Sequence, residues 1–152
     1  MLEGILLFAL DDPLYALPLS VVDRVVRAVE IRPLPRAPRV VVGVINAQGR
    51  IIPVIDVRAV FRLPAREMDV GDRLIIARTP SRVVALIVDG VIGVREASAV
   101  KGEGAMSALD FTELLRGVMR IEDEIVLIYD LDRFLSLDDE SMLDAALSGG
   151  EA

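Results

Sequence analysis

The 152-residue chain contains no cysteine, no histidine and no tryptophan, and its only lysine is Lys101. The lack of cysteine excludes disulfides, thiolate metal sites and thiol redox chemistry. The lack of histidine removes the usual general base and the commonest metal ligand, and one lysine leaves little scope for Schiff-base catalysis. Carboxylates remain available, but this inventory favours a binding protein over an enzyme.

Long apolar runs are also absent, although hydrophobic residues make up 53% of the chain and the mean hydropathy is +0.52. No uninterrupted run approaches the roughly 18 residues that a membrane-spanning helix needs. The first residues, Met1 to Gly4, lack the basic residue and the apolar core of a signal peptide. We therefore expect a cytoplasmic protein whose apolar excess lies in strands buried on both faces.

Aromatic residues are scarce, at 4% of the chain, and each lies in an apolar pattern typical of a protein core. Barrels that bind single-stranded nucleic acid need exposed aromatic side chains between their basic residues. The segment Ser98 to Lys101 matches the S-x-x-K pattern of penicillin-recognising enzymes, but the supporting Ser-Asp-Asn and Lys-Thr-Gly motifs are missing. A nucleic-acid-binding barrel and a small hydrolase are the alternatives from other functional classes.

Charge is distributed unevenly along the chain, whose net charge is −7. Residues 24–82 hold 12 arginines against 5 acids, whereas residues 110–152 hold 12 acids against 3 arginines. Such asymmetry can orient a protein partner, although ordinary solvated faces explain it equally well. Acidic clusters such as Glu122 to Glu124 are explained by turns and helix starts, so we predict no metal site and no cofactor.

One stretch of the sequence occurs twice, at an offset of 74 positions. Gly43 to Phe61 and Gly117 to Leu135 each begin with Gly-Val, continue as two apolar runs around a polar turn, and reach an aspartate near the end. A weaker similarity links Tyr15–Val25 with Val84–Val94. A repeat of this length predicts two related subdomains that bury a shared face.

Alternating apolar runs around polar turns predict mostly β-structure with little helix. Ser20, with Asp23 three positions later, predicts a short helical turn that includes Val22 and Val25. Pro53 interrupts an apolar run and predicts a bulge or an outward strand edge there. Ser136 with Asp139 predicts the start of a C-terminal helix.

Four segments together resemble the CheW family, the coupling proteins of bacterial chemotaxis arrays. They keep their order and spacing from about Leu2 to Leu147: YALPLSVV from Tyr15, PLPRAP from Pro33, GVIN followed by GRIIPVIDVR from Gly43, and VDGV from Val88. The block from Gly43 is the most specific of them.

The resemblance implies a mostly β fold of two small five-stranded β-barrel subdomains packed together, with short helical turns and a C-terminal helix. It implies a single CheW-like domain over residues 1–147, which leaves residues 148–152 as a flexible tail. It also implies a non-catalytic adaptor that couples the cytoplasmic tip of a chemoreceptor to the regulatory domain of a CheA-type histidine kinase, at membrane-associated arrays but without membrane insertion.

The family's partner contacts can be carried over to this sequence position by position. Gly43 is expected to let a partner's backbone approach closely, and for Val25 a core position and an interface position are equally compatible with the pattern. The partner-binding residues implied by the resemblance are Val22, Arg24, Val25, Gly43, Asn46, Gln48, Gly49 and Val94.

Two positions depart from the family pattern. The family's usual N-L-R-G turn reads Asn46-Ala47-Gln48-Gly49 here, so the arginine is lost, and the acidic residue typical after the second strand is Arg24. Because of these two changes, the resemblance supports the fold more strongly than it supports the identity of the partners. They leave open a CheW-like scaffold of a divergent signalling pathway with a non-standard partner.

Overall fold

The computed structural model describes residues 2–10, 14–27, 30–67, 69, 71–99, 115–121 and 124–149. The strands in these segments are β1 (Leu2–Ala9), β2 (Leu14–Pro18), β3 (Val22–Arg27), β4 (Val41–Ala47), β5 (Arg50–Asp56), β6 (Arg73–Arg78), β7 (Val83–Val88), β8 (Gly90–Ala99), β9 (Leu115–Ile121) and β10 (Glu124–Tyr129). The helices are α1 (Val57–Val60) and α2 (Leu137–Gly149), with 3-10 turns at Leu19–Val21 and Leu131–Arg133.

The strands form two five-stranded units. The first barrel closes in the order β1-β2-β10-β9-β8, and the second sheet has the order β3-β6-β7-β5-β4. The predicted fold class is confirmed: the chain is mostly β, has two five-stranded sheets, and carries a C-terminal helix. The first barrel combines both ends of the chain, whereas the second sheet is built entirely from its middle.

The sequence repeat corresponds to a structural repeat. In each unit, one strand lies between an antiparallel neighbour and a parallel neighbour. A residue of this strand pairs with the repeated glycine on the antiparallel side and with an alanine on the parallel side. The two triplets are Gly43–Val54–Ala85 in the second sheet and Gly117–Ile128–Ala16 in the first barrel. The two subdomains are therefore related copies, as the 74-residue offset predicted.

The main hydrophobic core lies between the two units and contains five stacked or tilted aromatic rings. Ring centroids are 5.0 Å apart for Tyr15 and Phe61, 4.6 Å for Phe61 and Tyr129, and 5.7 Å for Phe8 and Tyr15. Phe134 completes the cluster with an edge contact to Phe61. The few aromatic residues of the described chain thus hold the subdomains together, which leaves none of them exposed for stacking on nucleic acid bases.

The prediction of a helical turn that includes Val22 and Val25 is wrong in its position. The 3-10 turn spans Leu19–Val21 without a side-chain cap, and Val22 already belongs to β3. Val22 and Val25 pair with β6, so the strand ladder overrides the local helical pattern, as β-branched side chains favour.

Pro53 does not lie on an outer strand, because β5 runs between β4 and β7. Its partner on β4 is Val44, whose N–H and carbonyl both bond to Arg32 instead, at 2.8 and 2.9 Å. Pairing between β5 and β7 begins only at Val54. The missing N–H of Pro53 therefore leaves no strand-to-strand hydrogen bond unmade among the described residues.

The predicted start of the C-terminal helix is confirmed. The backbone N–H of Asp139 donates to Ser136 Oγ at 3.0 Å, and the backbone N–H of Ser136 donates to the Asp139 carboxylate at 3.1 Å. This reciprocal pair is a capping box. Helix α2 continues to Gly149, two residues into the segment predicted as a tail, and residues 150–152 lie outside the described chain.

Removal of the cap should loosen this helix. We expect Ser136→Ala to lower the free energy of unfolding by about 1 kcal/mol, because one backbone donor loses its partner. Ser141→Ala, an exposed position in the same helix, serves as the control and should change stability by less than about 0.5 kcal/mol. Urea denaturation of both variants measures the difference, and equal midpoints would contradict a role for the cap.

Candidate partner-binding surface

The hairpin between β4 and β5 carries three of the predicted contact residues. Gln48 and Gly49 both have positive φ, 53° and 82°, which is the geometry of a two-residue hairpin turn of type I′. The carboxamide oxygen of Asn46 accepts a hydrogen bond from the backbone N–H of Gly49 at 3.0 Å. Asn46 therefore holds the turn, and Gln48 is presented to solvent at its tip.

A small cavity opens beside this turn at one end of the second sheet, with a volume of about 150 Å³. We call it the arginine cavity, because Arg24, Arg50 and Arg78 contribute to its wall. Its other lining residues are Asp23, Ala47, Gln48, Ile52, Ile76 and Val83. The two positions that depart from the family pattern, Arg24 and Gln48, thus line the same cavity.

The two predicted valines of β3 lie near this cavity along the same strand. Val25 is 37% exposed on the outward face, whereas Val22 is half-buried and packs against the main core. Because β3 is an edge strand of the second sheet, Val25 is accessible to a partner.

The structure gives a different physical reason for the glycine at position 43 from the close approach of a partner that was expected. Gly43 is buried, and a Cβ atom there would lie 2.2 Å from the carbonyl oxygen of Arg32 and 3.0 Å from Ile31 Cγ2. The backbone that approaches this glycine closely is therefore the chain's own, held by the two hydrogen bonds between Arg32 and Val44. A role of Gly43 in partner binding stays a prediction.

Val94 lies on the other unit, on β8 of the first barrel, and is 52% exposed. Ile92, two positions earlier, is also exposed, at 45%. None of the cavities found among the described residues contains Val94 together with the turn residues. The structure thus groups Arg24 with Gln48 at the second sheet, whereas Val94 lies on the first barrel.

Sequence reasoning missed four surface residues. Arg50, which directly follows the predicted Gly49, and Arg78, which comes from a strand distant in sequence, belong to the arginine cavity. Ile51 and Ile125, which correspond in the repeat, are each about three-fifths exposed, at 59% and 61%. The offset of 74 was the available signal for the isoleucines, because an apolar residue repeated just after both turns is unusual for a solvated position.

A buried ionic cluster lies where β7 of the second sheet passes into β8 of the first barrel. The Asp89 carboxylate accepts hydrogen bonds from Arg58 Nη2 at 2.6 Å, Arg58 Nε at 3.2 Å and Arg66 Nη2 at 2.8 Å. Asp72 is bonded by Arg66 and by the backbone N–H of Asp69. The hydrogen bonds that Arg66 donates to Asp72 and Asp89 hold the pKa of the Arg66 guanidinium above its ordinary value. The cluster ties Arg66 and Asp72 to the β7–β8 junction through these internal contacts.

Burial raises the pKa of the Tyr129 hydroxyl from an ordinary 10.0 to about 12, and the neighbouring Tyr15 adds to the shift. Because the folded pKa is the higher one, stabilisation by the neutral hydroxyl is complete below pH 10 and is lost as the pH rises toward 12. In the single-tyrosine variant Tyr15→Phe, we expect the tyrosinate absorbance of the folded protein to titrate clearly above the same transition in denaturant. Coincident transitions would contradict the burial of this hydroxyl.

The described residues contain no group of three or more acidic side chains placed to hold a metal ion. Among the helices that the structure describes, none has the length and apolar character required to cross a bilayer. Ser98 lies on strand β8 rather than at a helix start, and Lys101 is outside the described residues. The described surface offers exposed apolar side chains and arginines for contact with a partner.

Comparisons with known proteins identify the family. The family model described as a CheW-like domain matches residues 4–139. The chemotaxis protein CheW of Rhizobium meliloti is 36% identical over 102 residues, 66% of each chain, and that of Thermotoga maritima is 26% identical over 131 residues, 86% of each chain. The crystal structure of the scaffolding protein TtCheW from Thermoanaerobacter tengcongensis superposes with a TM-score of 0.78 at 27% identity, covering 91% of this chain and 96% of that one. This chain belongs to the CheW-like domain family.

Proposed function

We propose that this chain is a non-catalytic adaptor of chemotaxis-type signalling, which couples the cytoplasmic tip of a chemoreceptor to the regulatory domain of a CheA-type histidine kinase. The observation that carries the proposal is the match to the CheW-like model over residues 4–139, since relatives named chemotaxis protein CheW align over most of this chain. The structural relative TtCheW is itself titled a scaffolding protein.

The surface supports binding rather than catalysis. Apolar side chains are exposed on both units, including Val25 and Ile51 on the second sheet and Val94 and Ile125 on the first barrel. An adaptor that joins two proteins needs two separate contact surfaces, and the repeat supplies two related ones. The sequence meanwhile lacks histidine and cysteine, the side chains most used for acid–base and nucleophilic chemistry.

Calorimetric titration of the purified chain with a receptor-tip fragment and, separately, with a kinase regulatory domain tests this function. We expect both to bind, and we expect binding of one partner to leave the other able to bind. Binding to neither fragment would contradict the proposal. A thermal-shift screen with nucleotides, metal ions and oligonucleotides tests the hydrolase and nucleic-acid alternatives, because a specific ligand stabilises the folded state.

Val94 offers a point-mutation test. We expect Val94→Asp to weaken binding of at least one of the two fragments by about 1–3 kcal/mol, because a charged carboxylate would be desolvated at an apolar contact. Its unfolding midpoint should hardly change, since the side chain is half exposed. Met142→Asp, a comparably exposed apolar position on α2, is the matched control and should bind both fragments normally. Unchanged affinities for Val94→Asp would remove this residue from the interface.

A further inference from the structure

The arginine cavity holds more positive charge than its one carboxylate, Asp23, can neutralise. Arg50 and Arg78 form no ion pair or side-chain hydrogen bond with any other residue that the structure describes, and both are exposed. Arg24 forms a salt bridge with its neighbour Asp23, at 3.3 Å. The wall therefore carries three arginines and one aspartate, in a protein whose net charge is −7. This contrasts with the Asp89 cluster, where each described arginine is matched by a carboxylate.

The inner part of the cavity is apolar. Ile52 and Ile76 are buried and Val83 is half-buried, and these three side chains line the cavity together with the charged wall. A group that fits both parts has an apolar stem and an anionic head. A glutamate side chain has this form, whereas inorganic phosphate has no apolar part. No aromatic residue lines the cavity, so a nucleic acid base would find no stacking surface.

We propose that the arginine cavity receives an acidic side chain, a glutamate, from the bound protein partner. This proposal deepens the adaptor function and rests on it, since it names the chemistry of the partner at one of the contact surfaces. Guanidinium groups can hold a carboxylate through paired N–H donors, and a local positive site on an acidic protein directs an acidic segment to that site. Gln48 stands where the family has its turn arginine, and the positive charge of this cavity comes instead from arginines on β3, β5 and β6.

The test uses hexaglutamate peptide as the probe and the whole chain as the receptor, followed by nuclear magnetic resonance of arginine Nε–H and isoleucine methyl groups. We expect the peptide to perturb the signals of Arg50, Arg78, Ile52 and Ile76. The double variant Arg50→Gln/Arg78→Gln should weaken peptide binding by about tenfold, because each partly exposed charge contact contributes modestly. The effect should diminish as salt is added.

Arg39→Gln is the matched control, since Arg39 is also exposed but does not line the cavity. It should bind hexaglutamate as the unmodified chain does. The single variant Arg24→Gln provides a second, milder change at the cavity, with an intermediate loss expected. Amide spectra of each variant verify that it is folded.

Several results would overturn the proposal. The proposal fails if hexaglutamate leaves the cavity signals unchanged, if inorganic phosphate binds there as tightly as the peptide, or if the Arg39→Gln control loses as much affinity as the double variant. Salt-sensitive self-association that Arg50→Gln/Arg78→Gln abolishes would instead identify a second copy of this chain as the occupant. If the chain binds neither the receptor-tip fragment nor the kinase domain but still binds hexaglutamate at the cavity, the adaptor function fails while the acidic specificity of the cavity stands.

Discussion

Replacement of Gly43 by alanine is expected to lower the free energy of unfolding by about 3 kcal/mol or more. The added Cβ would lie 2.2 Å from the carbonyl oxygen and 2.8 Å from the carbonyl carbon of Arg32, and backbone atoms cannot turn aside as a flexible side chain can. The 31–32 segment would have to move away, with loss of its two hydrogen bonds to Val44. Urea denaturation followed by circular dichroism measures the change.

The repeat provides the control for this experiment. Gly117 occupies the position equivalent to Gly43 in the first barrel, but a Cβ there meets no atom of the described residues within 4 Å. Gly117→Ala should therefore change stability by no more than about 0.5 kcal/mol. Equal losses for the two variants would mean that the glycine is needed for strand pairing in general. Loss of partner binding by Gly43→Ala without loss of stability would instead favour a direct contact.

Removal of the Asp89 carboxylate should cause the second largest loss in the free energy of unfolding, after Gly43→Ala. Asp89→Ala leaves Arg58, whose side chain is only 8% exposed, without its paired acceptor, and releases one contact of Arg66. Truncation of one partner of a buried ion pair costs about 3–5 kcal/mol, because the remaining charge is uncompensated. We expect about 3 kcal/mol here, since Asp89 itself is partly exposed.

The exposed ion pair between Arg24 and Asp23 is the matched control, at 3.3 Å with both side chains well exposed. Asp23→Ala should change the free energy of unfolding by less than about 0.5 kcal/mol. If Asp89→Ala is as mild as Asp23→Ala, the cluster at the β7–β8 junction is not structurally important. A second check is limited proteolysis, in which the 62–72 segment should be cut faster in Asp89→Ala than in the unmodified chain.

The paired strands were predictable because their information is local or repeated. The hairpin around Gln48 and Gly49 followed from a polar turn between apolar runs, and the match of Val54 with Ile128 followed from the 74-residue offset. The capping box at Ser136 was equally local. The hairpin and the capping box are determined by residues within a few positions of one another, whereas the correspondence of Val54 with Ile128 is determined by the repeat.

Other features depend on residues that only the fold brings together. Nothing near Gly43 in sequence indicates that Arg32 passes within contact distance, so the glycine was assigned to a partner's approach. The arginine cavity combines residues of β3, β5 and β6, and no spacing rule connects Arg24 with Arg78. The strand that begins at Val22 was misassigned because its ladder partner, β6, begins about 50 residues later.

The interleaving of the two units has a consequence for the order in which the chain folds. All five strands of the second sheet are present once residue 88 has been synthesised, whereas the first barrel needs β2 to join β10, with Tyr15 and Leu127 about 110 residues apart. Closing so long a loop costs conformational entropy, and the contacts that compensate for this cost form only late in folding. Pulse-labelling hydrogen exchange during refolding should therefore protect the amides of β6 and β7 before those of β2 and β10. A nascent chain would carry its N-terminal hairpin without a barrel until the final strands emerge from the ribosome.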